Sequence, residues 1–517
     1  MTAPRPRLVL ALILILYFAL GVLFAVNTPP WQAPDEPAHY NYVRYLAEKG
    51  NFPILHMGDY PHAYLEEIKS RKFPPDLSID PIRYEFHQPP LYYALAAPIY
   101  GLTGGDPLAL RLFSVVLGSG IVILAYAITR RIFAARSALA LGAAAFVAFL
   151  PQHLATVSQV GNDVLAELLY AAVLFVLVGW LDQSTKSQAQ DAKRKLGSTV
   201  GLGLLLGLIL ITKTTAYVAL PLAGGVLIWH WWRERSGLRR ILTEGLAVAV
   251  PAALIALPWY ARDVAVYGWP DFLGLTRHDQ IVIGQLRAID FVAQQGWQAY
   301  WLRALRDTFR SFWGQFGWMG VVLDTRVYFV LLLLSGVALG GFALRAASGK
   351  RRHVSPAIML LGVSILLTLL VFAWYNTQFL QHQGRYLFTA LIPIAIFFSL
   401  GWEGVLRPAA GHILAAALAV FGFGLAVWSL LAGTGLPKWP LAITAAFAAG
   451  MLILDLGLRS TERGVNASTS ANDAALSAKP ATPGPALHLL TFALPFIALP
   501  LLDLYALYGG IIPQLTR

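Results

Sequence analysis

The chain has 517 residues, of which 57% are hydrophobic and 13% charged, about half the charged share of ordinary globular proteins. With a mean hydropathy of +0.60, this composition excludes a soluble globular chain and a disordered one. The absence of cysteine excludes disulfides, thiolate metal sites and cysteine nucleophiles, and a net charge of +12 with much of the Lys and Arg at helix ends fits membrane topology and anionic lipid rather than nucleic acid.

Apolar runs of about 20 residues recur along the whole length, which predicts an all-α polytopic membrane protein; a β-barrel would show short alternating segments. Arg5 and Arg7 precede an apolar run from Leu8 to Val26. The run is too long for a signal-peptide core and no small-residue cleavage site follows, so it predicts a retained first helix with a cytoplasmic N-terminus. Residues 27–105 form a large first extracytoplasmic loop. Within it, Pro90 to Leu102 is apolar but too short to span, and reads as a re-entrant or interfacial helix. Asp106 to Thr129 spans and ends at the basic pair Arg130-Arg131, which belongs in the cytoplasm.

Alternation then places spans near 137–151, 162–181, 197–212, 215–232, 241–260, 326–345, 355–374, 385–402, 411–432, 438–458 and 487–509, about thirteen in all, with the C-terminus outside. The basic connectors Lys193-Arg194-Lys195, Arg233 to Arg240 and Arg345 to Arg352 all fall inside. Residues 262–325 make a second long extracytoplasmic loop rich in Trp and Phe, and 459–486, rich in Arg, Ser, Ala and Pro, reads as a flexible cytoplasmic linker. The expected division is a core over 1–402 and variable C-terminal helices over 403–517.

With sides assigned, the polar residues cluster on the outer face. Asp35-Glu36 follow the first span; His87-Gln88 cap the short helix; Gln152-His153 and Asn162-Asp163 flank an outer turn; Lys213 ends a span; Arg262-Asp263 open the second loop; His382, Gln383 and Arg385 precede another span. Each has a structural reading: a helix cap for the acids, a snorkelling anchor for Lys213 or Arg385, packing for His87 and His153, and an aromatic belt for Trp313 and Trp318. Taken together they fit one reaction. A carboxylate can take a proton from an attacking hydroxyl, and Lys, Arg and His can hold a departing phosphate. No Gly-rich phosphate loop is present, and nothing resembles the multi-carboxylate helix faces of a di-metal centre.

The order of motifs resembles the GT-C superfamily of membrane glycosyltransferases. The likeness rests on the first span followed by Pro34-Asp35-Glu36-Pro37-Ala38-His39, on Tyr84-Glu85-Phe86-His87-Gln88-Pro89-Pro90-Leu91-Tyr92-Tyr93 leading the short helix, and on Arg111-Leu112 opening the next span. Lys213-Thr214-Thr215-Ala216, Ser311-Phe312-Trp313-Gly314 and Gln383-Gly384-Arg385-Tyr386-Leu387 extend it to about residue 400. Members include protein O-mannosyltransferases and the aminoarabinose transferases that modify lipid A, and the four motifs are similar to those of a bacterial family of predicted GT-C membrane proteins.

The resemblance implies a GT-C fold and an inverting transfer from a polyprenyl-phosphate sugar donor, with no cofactor and no metal. It implies Asp35 as general base, Glu36 orienting it or the acceptor, and His87, Lys213 and Arg385 holding the donor phosphate. Aminoarabinose transferases carry Glu-Lys where this chain has His87-Gln88. Expected substrate contacts are Gln88, His153, Asp163, Arg262, His382, Gln383 and Tyr386, with Trp313 and Trp318 stacking on sugar faces. The expected location is the cytoplasmic membrane with an extracytoplasmic site. The acceptor, whether glycan, lipid or protein, is open. The rival readings are a transporter or flippase of lipid-linked sugars and an oligosaccharide ligase.

Overall fold

A backbone inside hydrocarbon must satisfy its own hydrogen bonds, and long apolar helices do so at once. The computed structural model of the chain describes residues 6–182, 191–347, 354–407, 409–470 and 485–516. Among them ten helices are long and apolar enough to cross a membrane, or eleven if one bent pair counts as a single span. The only sheet among the described residues is a two-stranded hairpin. The protein is a multi-pass all-α membrane protein.

Helix α1 (Pro6–Asn27) leads into the first loop, which holds α2 (Glu36–Lys49), α3 (His62–Ser70), a 3₁₀ turn at Tyr84–His87 and α4 (Leu91–Thr103). At 13 residues, about 20 Å, α4 is too short to span. The Leu91 N–H donates to the Ile211 carbonyl at 2.9 Å, fastening this loop to the C-terminal end of a later helix.

Helix α5 (Pro107–Ile132) packs on α1, where the buried Tyr17 hydroxyl donates to the Val115 carbonyl at 2.9 Å. The segment expected at 137–151 breaks into α6 (Ser137–Ala148) and α7 (Pro151–Val157), which meet at 61°. Pro151 disfavours a helical conformation in the residue before it, and Leu150 is extended, with φ −76 and ψ 114. Helix α8 (Asp163–Asp182) spans, followed by α9 (Asp191–Leu210), whose apolar part is only Gly197–Leu210. A 3₁₀ turn at Thr214–Val218 precedes the 15-residue α10 (Ala219–Arg233). The segments expected at 197–212 and 215–232 are therefore shorter than a full span. They stop at Lys213 and its neighbours, because a charged side chain is costly inside hydrocarbon.

Helix α11 (Leu238–Tyr267) opens the second loop, which contains α12 (Leu275–Ile281), α13 (Ala288–Trp313) and the hairpin β1 (Gln315–Phe316) and β2 (Val321–Val322), paired Gln315 to Val322 and Phe316 to Val321. Then come α14 (Thr325–Ala347), α15 (Pro356–Gln378), a 3₁₀ turn at Gly384–Ala390 that runs into α16 (Leu391–Val405), and α17 (Ala410–Leu431). Helix α18 (Lys438–Ser470) continues into the first part of the segment expected as a linker. After Pro440 in its first turn no proline occurs before Pro480, and an established helix extends at little cost. Residues 471–484 of that segment lie outside the described residues. Helix α19 (Pro485–Tyr505), a π turn at Ala506–Ile511 and α20 (Ile512–Leu515) complete the fold.

Candidate active site

Asp35 stands at the turn between α1 and α2, in left-handed backbone (φ 68, ψ −10). Asp adopts that conformation more readily than most residues, and Pro37 lies in the first turn of the helix that begins at Glu36. Its Oδ1 accepts from the Tyr84 hydroxyl at 2.8 Å, and its Oδ2 accepts from Arg385 Nη2 at 2.5 Å. Two residues 350 positions apart thus form an ion pair. The Arg385 side chain is 6% exposed and that of Asp35 is 26% exposed. Burial pushes the Asp35 carboxyl up, but Arg385 and His39, with the hydrogen bonds from Arg385 and Tyr84, outweigh it and bring the group down to about 2.

Asp35 and Arg385 line a cavity of about 760 Å³. His87, Gln88, Lys213 and Tyr386 share its wall. Lys213 Nζ donates to Asp163 Oδ1 at 2.6 Å and Asn162 Oδ1 at 3.0 Å, and Asn162 Nδ2 donates to Gln88 Oε1 at 3.2 Å. Asp163 is outside the cavity wall and acts by holding Lys213. Gln383 does line the cavity, but it is also a buttress: its Oε1 accepts from Arg385 Nε at 2.7 Å, and its Nε2 donates to Gln381 at 2.6 Å.

Part of the remaining wall is apolar, with Val218, Leu286, Val371, Phe372 and Trp374. Val371 and Trp374 are also exposed on the outside of α15. The cavity is therefore amphipathic, lined both by charged side chains and by a hydrocarbon-like stretch of wall.

His87 Nδ1 pairs with the Tyr84 carbonyl at 3.0 Å, which makes Nδ1 the donor and Nε2 the acceptor of a neutral ring. Its ring lies 4.3 Å from that of His278 on α12. Burial drives both imidazoles toward the neutral form, His87 to about 4.

Several expected contacts fall elsewhere. Glu36 is completely buried. Its oxygens accept from Arg111 Nε at 2.7 Å and Nη2 at 2.6 Å, from the Trp31 N–H at 3.1 Å and from the Val160 N–H at 3.2 Å. A carboxylate so occupied is an anchor for the Asp35 turn, not a group for substrate. His153 is buried, bonded to the Val147 carbonyl at 2.8 Å and Glu167 at 3.1 Å. Trp313 packs on Phe146 and Phe398 in the core. Arg262 pairs with Asp263 at 2.7 Å, lies over Trp259 and donates to the Pro53 carbonyl, pinning the first loop to α11. His382 packs edge-on against Tyr300 and does not reach the cavity wall. Trp318 does line the cavity, but Lys69 lies over its ring and Phe73 stacks on it, so it forms a wall rather than an open sugar platform.

Residues not singled out from the sequence also belong here. Tyr84 and Glu85 lie in the quoted 84–93 stretch, and His39 ends the motif that begins at Pro34, but nothing in their spacing set them apart from packing residues. His39 Nδ1 pairs with the Tyr93 hydroxyl at 2.8 Å. Glu85 lines the cavity, burial pushes its carboxyl up, and its Oε2 has no hydrogen-bond partner among the described residues. His278 and Arg303 come from the second loop, where no local pattern marks them. Among the described residues no group of three or more His, Asp or Glu side chains is arranged to hold a metal ion.

Residues 55–266 match the family described as dolichyl-phosphate-mannose-protein mannosyltransferase. Over 250 residues the chain is 26% identical to an undecaprenyl phosphate-alpha-4-amino-4-deoxy-L-arabinose arabinosyl transferase of Proteus mirabilis, a match that takes in 48% of this chain and only 39% of that protein's length. Among solved structures it is similar to ArnT from Cupriavidus metallidurans bound to undecaprenyl phosphate (TM-score 0.52, 17% identity, 97% of this chain and 76% of that one). It is also similar to the apo oligosaccharyltransferase of Archaeoglobus fulgidus (TM-score 0.50, 13% identity, 86% of this chain and 56% of that one). The chain thus shares the fold of these solved membrane proteins.

Proposed function

We propose that the protein transfers a sugar, with inversion, from a polyprenyl-phosphate donor to a hydroxyl acceptor at the extracytoplasmic face of the cytoplasmic membrane. The observation that carries this reading is the amphipathic cavity, in which Asp35, Arg385, Lys213 and His87 share the lining with the apolar Val371, Phe372 and Trp374 of α15. A polyprenyl chain needs the apolar wall, and its phosphate needs the cations. The bound lipid phosphate named for the Cupriavidus ArnT structure supports the same donor class.

In the proposed step the acceptor oxygen attacks the anomeric carbon as the bond from that carbon to the phosphate oxygen breaks. The hydroxyl proton passes to Asp35. The bonding electrons leave with the phosphate, whose charge Lys213 and Arg385 balance, with His87 donating once protonated. A carboxyl held near 2 is a weak base, so it accepts the proton late, when bond formation to the anomeric carbon has made the hydroxyl acidic. Asp163 and Gln383 serve by holding Lys213 and Arg385. Gln88 and Tyr386 contact the substrate.

The test uses a sugar-labelled polyprenyl phosphate and candidate acceptors in detergent. The wild-type protein should consume the donor, and Asp35→Asn should abolish transfer while retaining its fold and donor binding. Wild-type turnover by that variant would remove Asp35 as base. An intact donor with every acceptor, but vectorial movement in vesicles, would favour a flippase.

A further inference from the structure

The 3₁₀ turn Tyr84–His87 brings three polar side chains to the cavity wall within four residues. Tyr84 donates to Asp35 Oδ1 at 2.8 Å, and His87 is tied through Nδ1 to the Tyr84 carbonyl. Phe86 packs against Tyr42 and Tyr45 and fixes the turn to the core. The third side chain, Glu85, is only 9% exposed. Gln88 gives its carboxyl a hydrogen bond, and Gln88 is itself held by Asn162 at 3.2 Å. Glu85 Oε2 is buried and has no hydrogen-bond partner among the described residues. The acids around it are filled: Asp35 by Tyr84 and Arg385, Asp163 by Lys213, and Glu36 by Arg111 and two backbone N–H groups.

A buried carboxylate oxygen without a donor is costly, so a purely structural glutamate would be paired as its neighbours are. The open oxygen fits a donor brought by the ligand. The Glu85 carboxyl is within electrostatic reach of both Asp35 and Lys213. In the transfer proposed above, the acceptor oxygen at Asp35 and the phosphate at Lys213 lie on opposite sides of the anomeric carbon, so the sugar ring lies between them. A group in reach of both residues is in reach of the ring. A carboxylate repels the phosphate, a polyprenyl tail has no donor, and the attacking hydroxyl gives its proton to Asp35. The remaining donors are the other hydroxyls of the sugar. One open acceptor oxygen suits one O–H, whereas an ammonium brings three donors.

Given the donor class proposed above, we infer that Glu85 selects the transferred sugar: its Oε2 accepts from one hydroxyl of the donor's glycosyl group. Full-length protein stripped of lipid is titrated in neutral detergent, without acceptor, with undecaprenyl phosphate and with its glucose, mannose and galactose esters, and adducts are counted by native mass spectrometry. For the ester that the wild-type protein binds best, E85L should lose about 10- to 100-fold in affinity, and E85Q, which keeps an acceptor oxygen, should lose less. Both variants should bind bare undecaprenyl phosphate at least as tightly as wild type, because a carboxylate near the phosphate has been removed; misfolding cannot produce that result. Among monodeoxy forms of the same ester, one should bind wild type about 10- to 100-fold more weakly than the parent, while E85L binds it and the parent equally. Equal loss of bare and glycosylated lipid in E85L, loss of neither, or discrimination among the deoxy forms that E85L shares in full with wild type would overturn the role of Glu85. Wild-type protein that binds neither bare nor glycosylated lipid would overturn the polyprenyl-phosphate reading itself, and the role of Glu85 with it.

Discussion

Arg385→Gln and Asp35→Asn, made singly and together, probe the contact on which the site depends. The pair meets at 2.5 Å with side chains 6% and 26% exposed. Deleting one partner of a fully buried pair costs about 3–5 kcal/mol. The Tyr84 hydrogen bond remains and Asp35 faces the cavity, so the cost here is nearer about 2 kcal/mol. The titration gives the same size: a carboxyl brought from 3.8 to about 2 contributes about 2 kcal/mol at neutral pH. Because the folded-state value is the lower one, that stability is complete above about pH 4 and is lost as pH falls toward 2. Each single variant should therefore lose about 2 kcal/mol, and the double variant should lose about 2 kcal/mol less than the singles combined. Equilibrium unfolding in mixed micelles, followed by tryptophan fluorescence at pH 7, measures this. Additivity to within about 0.5 kcal/mol would mean the two side chains do not interact, and the account of Asp35 as a carboxylate held ionised by Arg385 would fail.

Other substitutions separate anchoring from chemistry. Glu36→Gln breaks a pair whose side chains are 0% and 5% exposed, so it should cost about 3–5 kcal/mol in the same unfolding assay, while the folded fraction keeps measurable turnover, unlike Asp35→Asn. Lys213→Gln removes a charge-assisted phosphate contact of about 1.5–3 kcal/mol, so the donor KM should rise about 10- to 100-fold; an unchanged KM would take Lys213 out of the phosphate site. His87 is held neutral, with its folded-state value near 4 against an ordinary 6.5. The unfolded chain takes up the proton first, so stability falls as pH drops from about 6.5 to 4. His87→Gln should flatten that slope, and an unchanged slope would mean His87 is not buried neutral.

The long spans were legible because lipid imposes one rule on every backbone group, and runs such as Leu8 to Val26 satisfy it openly. The same rule does not mark where a helix stops early. The break before Pro151 and the short α9 and α10 were masked by apolar residues that read as full spans, although their polar ends at His153 and Lys213 were visible. Asp35, His87, Lys213 and Arg385, which line one cavity, stand out in the sequence because polar and charged groups are rare in such a chain. Glu36, His153 and Arg262 carried the same signal for a different reason: each is a buried or partly buried polar group paired with a partner distant in sequence, and rarity alone does not distinguish a group aimed at substrate from one satisfied by Arg111, Glu167 or Asp263.

Composition and hydropathy were thus enough to set the solvent and the helical class, since each follows from local transfer energies. Which polar residues meet was decided by packing. The 2.5 Å approach of Arg385 to Asp35, the chain of contacts from Gln88 through Asn162 to Lys213, and the pairing of His87 with His278 all join segments remote in the chain, and contact at such separations depends on how helices cross.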